Sequence, residues 1–297
     1  MGEKYTPEWA KFLPEDEFIS SLPSYEGGNY LDLFDEFSFA GGKIGNFKYY
    51  LYSPVKHGAN ANEKYPLIVF LHGFSCALAG KMCISQSGGE LFASPDYQQK
   101  MGGAFVLVPI ANEKCDENGI ISGSFNEDYL QPLNALISKT AKENSCDGIF
   151  VIGGSLGGTM TWKIAEKCEN NWTGIMPVST DYIPDEKVLK RFEQQKISVY
   201  YSCGIHDEFM DFEGKIKPKT ELLSHFGNIL CRFPEWVKNG DGGVASLFYG
   251  REMGQHCIIN QVQANLLFDN GNPYDERLAN GVTGWIKSKI SEKRKGE

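Results

Sequence analysis

The stretch Asp147-Gly-Ile-Phe-Val-Ile-Gly-Gly-Ser-Leu-Gly-Gly158 decides how the rest of the chain is arranged. Residues 149–152 form a short apolar run, which is typical of a strand buried in a sheet. Residues 153–157 fit the pattern G-x-S-x-G, with Ser155 at its centre. A helical pattern follows at once, with apolar residues four apart at Met160, Ile164 and Cys168. The stretch therefore predicts a buried strand, a sharp turn and a helix in immediate succession.

The serine in this turn is expected to have an unusual backbone conformation. The turn is strained, and the glycines on either side of Ser155 allow the strand and the helix to pack closely. The hydroxyl would then stand at the carboxyl end of the sheet, above the amino terminus of the helix. A glycine-rich turn with an incidental serine is the alternative, because short motifs also arise by chance.

Composition excludes several classes of protein. The chain has 297 residues and a net charge of −9, and its one basic stretch is the tail at residues 289–295. A duplex-binding protein would carry a basic face, so we expect no nucleic-acid partner. No run of eighteen apolar residues is present, which argues against a membrane span. The start shows no signal pattern, so we expect a cytoplasmic protein, with a secreted protein lacking its signal peptide as the alternative.

The cysteines indicate neither a metal site nor a disulfide framework. None of them forms C-x-x-C, and none pairs with a histidine at zinc-binding spacing. Several stand in apolar contexts, so we expect reduced, buried thiols and an activity that needs no cofactor. The chain contains eight: Cys76, Cys83, Cys115, Cys146, Cys168, Cys203, Cys231 and Cys257.

Strand and helix patterns alternate along most of the chain. Residues 1–34 are expected to form an irregular arm packed on the body, and residues 35–297 a single domain. The alternation predicts an α/β protein with a doubly wound, mostly parallel sheet and helices on both faces. Strands are predicted at residues 36–40, 47–52, 66–73, 104–109, 149–152, 174–179, 198–204 and 245–250. Helices are predicted near residues 90–101, 128–144, 156–168, 184–195 and 219–229 and at the carboxyl end.

Chemically active residues follow several of these strands. His72, Gly73 and Phe74 come after the first long apolar strand, and Ser155 comes after the strand at residues 149–152. Asp207 follows the strand at residues 198–204, and His256 comes shortly after the last predicted strand. The carboxyl ends of parallel strands meet at one edge, where open α/β sheets collect their working groups.

These motifs resemble the α/β-hydrolase superfamily, in which serine, acid and histidine follow in this order. The resemblance runs from residue 49 to the carboxyl end. Within the superfamily the chain is most similar to single-domain esterases of the feruloyl-esterase and polyhydroxyalkanoate-depolymerase type, and prolyl-oligopeptidase-like catalytic domains are close kin. Histidine loops in the family often read Gly-His, whereas Gln255 stands between Gly254 and His256 here. The resemblance implies an α/β-hydrolase fold with a small lid or none.

The resemblance also implies the role of each residue. Ser155 would be the nucleophile, His256 the base and Asp207 the group that orients the imidazole. By analogy, the backbone N–H groups of Phe74 and Leu156 would form the oxyanion hole. The loops at residues 111–127 and 208–244 are long enough to shape a pocket. Candidate pocket residues are His72, Phe209, Met210, Phe212 and Trp236.

Other residues compete for the two supporting roles. His57 and His225 are expected at the surface, and His206 lies next to the acid and does not easily reach Ser155. For the acid, Asp181 follows an earlier strand, a position that some members of the superfamily use. Glu208 and Asp211 are further rivals and are expected to be solvated.

The sequence thus predicts a serine esterase that cleaves small carboxylic esters, with aryl and cinnamoyl-type esters as candidates, through an acyl-enzyme. A serine peptidase of the prolyl-oligopeptidase-like type, acting on short peptides, is the first alternative. A catalytically silent hydrolase-fold binding protein is the second. The sequence does not predict the oligomeric state or the particular ester.

Overall fold

A computed structural model describes residues 5–21, 27–74, 76–87, 89–119 and 121–296 of the chain. Over these ranges the chain forms one eight-stranded sheet in the order β8-β7-β6-β5-β3-β4-β2-β1. Strands β1 and β2 are antiparallel, β2 runs antiparallel to β4, and the other neighbours are parallel. The strands are β1 (Asp35–Ala40), β2 (Asn46–Tyr52), β3 (Leu67–Leu71), β4 (Phe105–Pro109), β5 (Ile149–Gly154), β6 (Trp172–Val178), β7 (Ser198–Ser202) and β8 (Ile229–Arg232).

Helices cover both faces of this sheet. The α-helices are α1 (Cys83–Ser87), α2 (Pro95–Met101), α3 (Leu130–Glu143), α4 (Leu156–Lys167), α5 (Glu186–Gln194), α6 (Thr220–Ser224), α7 (Ile259–Gln263) and α8 (Gly281–Gly296). A single helix, α5, lies between β6 and β7, where a lid would be inserted. The predicted helix at residues 90–101 is split, because Ser94 caps α2 and the following proline occupies its first turn.

The two faces of β3 show why its sequence is apolar throughout. Leu67, Val69 and Leu71 belong to one core cluster, to which α3, α4 and α5 also contribute. Ile68 and Phe70 belong to the opposite cluster, which includes side chains of α8. All five residues are fully buried, as a parallel strand between two helical layers requires. The predicted doubly wound, mostly parallel sheet is confirmed.

The last strand differs from the prediction. Residues 245–250 were expected to form it, but only Val244–Ala245 is extended, and it pairs with Ile19–Ser20 outside the main sheet. The edge of the main sheet is β8 instead, within a region assigned in part to a helix. Helix α6 ends after one turn at Ser224, and β8 then pairs in parallel with β7. Four residues ending in Arg232 give too short an apolar pattern to indicate a strand.

The described part of the amino-terminal arm lies against the segment that precedes His256. Ile19–Ser20 pairs in parallel with Val244–Ala245, and the Trp9 ring lies 5.4 Å from the Trp236 ring. Residues 1–4 and 22–26 of the predicted arm lie outside the described residues. Within the described ranges, none of the helices combines the length and apolar character that a bilayer crossing demands.

Candidate active site

Ser155 stands between β5 and α4 in a strained backbone conformation. Its φ is 58° and its ψ is −124°, in the region that only glycine adopts without cost. A tertiary contact stabilises this strained conformation, because the Ser155 N–H donates to the carbonyl of Val178, in β6, at 2.9 Å. Such strain persists only where the surroundings impose it, and it is concentrated at functional sites.

Gly157 explains how α4 comes so close to the sheet. A Cβ atom at this position would stand 2.0 Å from the carbonyl oxygen of Leu71, at the end of β3. Only glycine therefore allows the first turn of α4 to contact β3. This contact sets the elbow beside the segment that follows β3, and a Cβ on Gly73 would lie 3.4 Å from that of Ser155.

His256 and Asp207 form a buried pair. The His256 Nδ1 atom lies 2.8 Å from Oδ1 and 2.9 Å from Oδ2 of Asp207. The carboxylate is also fixed by the N–H groups of Phe209 and Met210, which donate to its Oδ1 at 2.9 and 3.1 Å. Because Nδ1 must donate to the carboxylate, Nε2 is the ring nitrogen left to accept a proton.

The backbone places the histidine loop next to the elbow. Ser155 bonds to Val178, and the next residue, Ser179, donates from its hydroxyl to the carbonyl of His256 at 2.7 Å. A Cβ on Gly154 would lie 3.0 Å from Ile259 in α7. Among the described residues, no hydrogen bond joins the Ser155 hydroxyl to the His256 imidazole. The structure thus brings the two residues into one site without forming that bond.

The segment after β3 is held by His72. Ala111 N–H donates to Nε2 of His72 at 3.0 Å, so Nδ1 carries the proton and donates to the carbonyl of Gly73 at 2.8 Å. Burial lowers the pKa of His72 to about 4, which keeps the ring neutral. The side chain is fully buried, so His72 shapes the segment and does not line an open pocket.

Two backbone N–H groups flank the serine. Leu156 is the first residue of α4, where the N–H has no acceptor within the helix. Phe74 follows Gly73, and its side chain is 58% exposed. Neither N–H has a partner among the residues described.

Asp181 and Asp211, the other candidates for the acid, form hydrogen bonds with other groups. Asp181 accepts a bond from Lys215 at 2.6 Å. Asp211 caps the short helix Phe212–Ile216 and accepts from the Gly214 N–H at 2.9 Å. Neither carboxylate bonds to a histidine in the described part of the chain.

Glu208 departs from the expectation of a solvated carboxylate. Its two oxygens accept the backbone N–H groups of Gln255 at 3.0 Å and His256 at 2.7 Å. Burial raises the pKa of this carboxyl above its usual value. Glu208 thus ties the acid loop to the histidine loop. In the sequence, the only indication of this role is that Glu208 follows Asp207. No local pattern predicts that its carboxylate will turn towards the histidine loop.

Gln255, which separates Gly254 from His256, is a fully buried anchor. Its side-chain oxygen accepts the Val237 N–H at 2.7 Å, and its amide nitrogen donates to the carbonyl of Ala245 at 2.9 Å. The Gln255 side chain therefore adds hydrogen bonds to a backbone pairing in which the Ala245 N–H donates to the carbonyl of Val237 at 2.8 Å. These bonds fix the histidine loop to the segment beside the amino-terminal arm.

Of the other candidate pocket residues, the structure brings only Phe209 into contact with the histidine. The centres of the Phe209 and His256 rings lie 4.8 Å apart in an edge contact. Met210 packs against the core and Phe212 is buried in it. Trp236 lies between the rings of Trp9 and His206, at 5.4 and 4.3 Å.

The His, Cys, Asp and Glu side chains in the described part of the chain are those that could bind a metal ion. Among the residues described, no group of three or more His, Cys, Asp or Glu side chains is arranged to hold a metal ion. The cysteines are free thiols, and burial raises the pKa of Cys257, next to His256, to about 12. That thiol is therefore protonated and a poor nucleophile at neutral pH.

Comparisons with solved structures show which proteins this chain is similar to. A thermostable esterase is 23% identical with a TM-score of 0.53, over 69% of this chain and 55% of the esterase. A structure named FAE is 14% identical with a TM-score of 0.51, over 85% of this chain and 94% of that one. The feruloyl esterase module of Clostridium thermocellum is 15% identical with a TM-score of 0.49, over 75% and 88%.

The first two likenesses, with the strand order, show that the chain has the α/β-hydrolase fold. The predicted fold is therefore confirmed. The chain spans only 55% of the thermostable esterase. No family model matches the chain, and no curated protein matches it in sequence.

Proposed function

We propose that the protein is a serine hydrolase that cleaves carboxylic esters through an acyl-enzyme. The observation that carries the proposal is the backbone of Ser155 at a strand–helix junction, where φ is 58° and ψ is −124°. Such a conformation costs about 1–3 kcal/mol, which a merely structural turn would avoid by using glycine. The buried pair of His256 and Asp207, held beside this turn, supports the same conclusion.

In the first half of the reaction, the Ser155 oxygen bonds to the carbonyl carbon of the ester. Its proton passes to Nε2 of His256, while Asp207 holds Nδ1–H and stabilises the imidazolium that forms. The tetrahedral intermediate then collapses, the bond to the leaving oxygen breaks, and the imidazolium returns its proton to that oxygen. Water repeats the sequence on the acyl-enzyme and releases the acid.

The negative charge of each intermediate falls on the former carbonyl oxygen. The N–H groups of Leu156 and Phe74 are the donors proposed for it, and the amino end of α4 adds a favourable dipole. A single donor of this kind is worth roughly 3 kcal/mol of barrier in serine hydrolases. The Leu156 amide is the better fixed of the two, because α4 is locked to β3 through Gly157.

Proton transfer requires a hydrogen bond between Ser155 and His256. Catalytic hydrogen bonds are often long in the absence of substrate and tighten in the complex. The backbone links through Val178 and Ser179 already fix the main chains of both residues. A rotation of the serine side chain is therefore the adjustment that the mechanism needs.

Esters are proposed in preference to peptides. An amine must be protonated as it departs, so amide cleavage demands a close grip on both sides of the bond. In prolyl-oligopeptidase relatives, part of that grip comes from an additional domain. The residues described here form an eight-stranded sheet, two two-stranded sheets and the helices around them. The esterase among the structural neighbours supports the same choice.

Kinetics of substituted proteins with an activated aryl ester test the proposal. Ser155→Ala and His256→Ala should each lower kcat on the order of a millionfold, and the double variant little more, because the two act as a unit. Asp207→Asn should cost about ten-thousandfold, since the imidazole adopts the wrong tautomer.

Ser224→Ala and His225→Ala are matched controls at the exposed end of α6. Both should retain the kcat of the unsubstituted protein. A Ser155→Ala protein that keeps a tenth of the activity would refute the proposed nucleophile.

A further inference from the structure

Arg251 contacts Phe209, and Phe209 in turn contacts the proposed catalytic histidine. Its guanidinium carbon stands 4.1 Å from the centre of the Phe209 ring, so the two groups are stacked. The edge contact of Phe209 with His256 has a centre-to-centre distance of 4.8 Å. The guanidinium is therefore no farther from the imidazole than the sum of these two distances.

This guanidinium has no carboxylate partner within ion-pair distance among the described residues. In the described part of the chain Arg251 takes part in no ion pair, although the net charge of the sequence is −9. The neighbouring carboxylates are occupied by backbone N–H groups. Glu252 accepts from Leu247 and Gly254, and Glu208 accepts from the histidine loop.

Stacking leaves the hydrogen-bonding capacity of Arg251 intact. The N–H donors of a guanidinium lie in its own plane, so a ring beneath that plane does not block them. The fork of donors matches the two oxygens of a carboxylate and binds it through parallel hydrogen bonds. Arg251 is exposed, so an incoming ligand can reach these donors.

The position relative to His256 indicates which part of an ester would meet Arg251. The imidazolium must return its proton to the leaving oxygen, so the alcohol part of the ester lies on the histidine side of the scissile bond. Because Phe209 contacts His256 and Arg251 contacts Phe209, we place both residues on that side. An aromatic alcohol part would meet Phe209, and an anionic substituent on it would meet the guanidinium.

We propose that Arg251 is a specificity-determining residue that binds a carboxylate on the alcohol part of the ester. The natural substrates would then be acyl esters of hydroxy acids, such as phenolic acids acylated on the hydroxyl. This inference rests on the proposed ester hydrolysis for its reaction, but the recognition of the carboxylate is testable without turnover.

The kinetic test uses 4-acetoxybenzoate and its neutral analogue 4-acetoxybenzamide. The ratio of their kcat/KM values should fall about tenfold in Arg251→Gln, because hydrogen bonds to charged groups contribute more than neutral ones. Intrinsic reactivity of the two esters cancels, since it is the same for both proteins. Arg251→Lys should retain part of the ratio, because lysine keeps the charge but loses the fork.

Arg294→Gln is the matched control. Arg294 bonds to Asp147 and to the carbonyl of Lys64, both of which precede strands of the sheet. The substitution thus removes the same charge at the amino-terminal ends of the strands, away from the candidate site at their carboxyl ends. It should leave the ratio unchanged, and an equal fall in both variants would show only a general effect of net charge and overturn the proposal.

A second pair places the carboxylate on the acyl part, as in an aryl hemisuccinate and the matching aryl butyrate. The ratio of the kcat/KM values of these two esters should be the same in Arg251→Gln as in the unsubstituted protein. A larger effect of Arg251→Gln on this pair than on the benzoate pair would refute the assignment to the alcohol side.

Binding of 4-hydroxybenzoate to the Ser155→Ala protein, measured by calorimetry, separates this inference from the proposed function. We expect saturable binding that weakens about tenfold in Ser155→Ala/Arg251→Gln and at high salt, with 4-hydroxybenzamide as the neutral control. Equal affinity in the two proteins would overturn the role of Arg251, whether or not the unsubstituted protein hydrolyses esters.

Discussion

At the scale of single residues, the pair of His256 and Asp207 is held by hydrogen bonds from the loops on either side. His256 and Asp207 are 49 residues apart, and their side chains bond. Asp207 comes shortly after β7, whereas His256 lies on a loop outside the main sheet. Glu208 and Gln255 were not expected to hold the histidine loop. Their contacts depend on how two irregular loops fold against each other, which no periodicity encodes.

The buried imidazole of His72 predicts a pH dependence of stability. Its pKa is lowered from 6.5 to about 4 by burial. Between these values the unfolded chain binds a proton that the folded chain does not, so the free energy of unfolding should fall as the pH decreases through this interval. The loss attributable to this residue is on the order of 3 kcal/mol.

Urea unfolding at a series of pH values measures this contribution. Carboxylates titrate in the same range, so the difference between the unsubstituted protein and His72→Gln isolates it. His72→Gln should show a shallower decline, whereas the exposed His57→Gln should follow the unsubstituted protein. Parallel curves for all three proteins would contradict a neutral, buried His72.

At the scale of elements, the apolar pattern of the sequence was sufficient to predict the strands that are buried on both faces. Strands β3 to β7 are continuous apolar runs and were predicted to within a few residues. Strand β8 was missed because it is a short edge strand with one polar end, and its pairing with β7 gives it extended structure. Residues 245–250 were misassigned because an apolar aromatic run on a loop resembles a strand.

The contact between α4 and β3 makes a prediction at the same scale. Gly157→Ala would place a methyl group 2.0 Å from the carbonyl oxygen of Leu71, so α4 must move away from the sheet. We expect a loss of about 1–3 kcal/mol in the free energy of unfolding. We also expect kcat/KM for an aryl ester to fall on the order of 100-fold, because the Leu156 N–H moves with the helix.

Gly227→Ala provides the control. This glycine lies between α6 and β8, and a Cβ there meets no atom within 4 Å. Its substitution should change neither stability nor kcat/KM appreciably. If Gly157→Ala behaved in the same way, the close approach of α4 to β3 would not be what positions the site.

At the scale of the whole molecule, the amino-terminal arm and the catalytic loops form one continuous structure. The arm pairs with Val244–Ala245, Gln255 bonds to Ala245, and Glu208 holds the backbone of His256. Ser155 and Asp207 follow strands of the main sheet, β5 and β7. His256 is positioned by the loops outside that sheet, through the bonds of Gln255 and Glu208. The sequence predicted an arm packed on the body, but it did not indicate that the arm contacts the segment leading to the histidine.

The central claim is that Ser155 is a nucleophile activated by His256. The most direct measurement is mass spectrometry of the intact protein and its peptides after incubation with a fluorophosphonate. We predict one adduct per chain, carried by the peptide that contains Ser155, absent in Ser155→Ala and formed at least about 100-fold more slowly in His256→Ala, since the imidazole must take the serine proton. An unmodified Ser155 in the unsubstituted protein, or an adduct on another residue, would contradict the account.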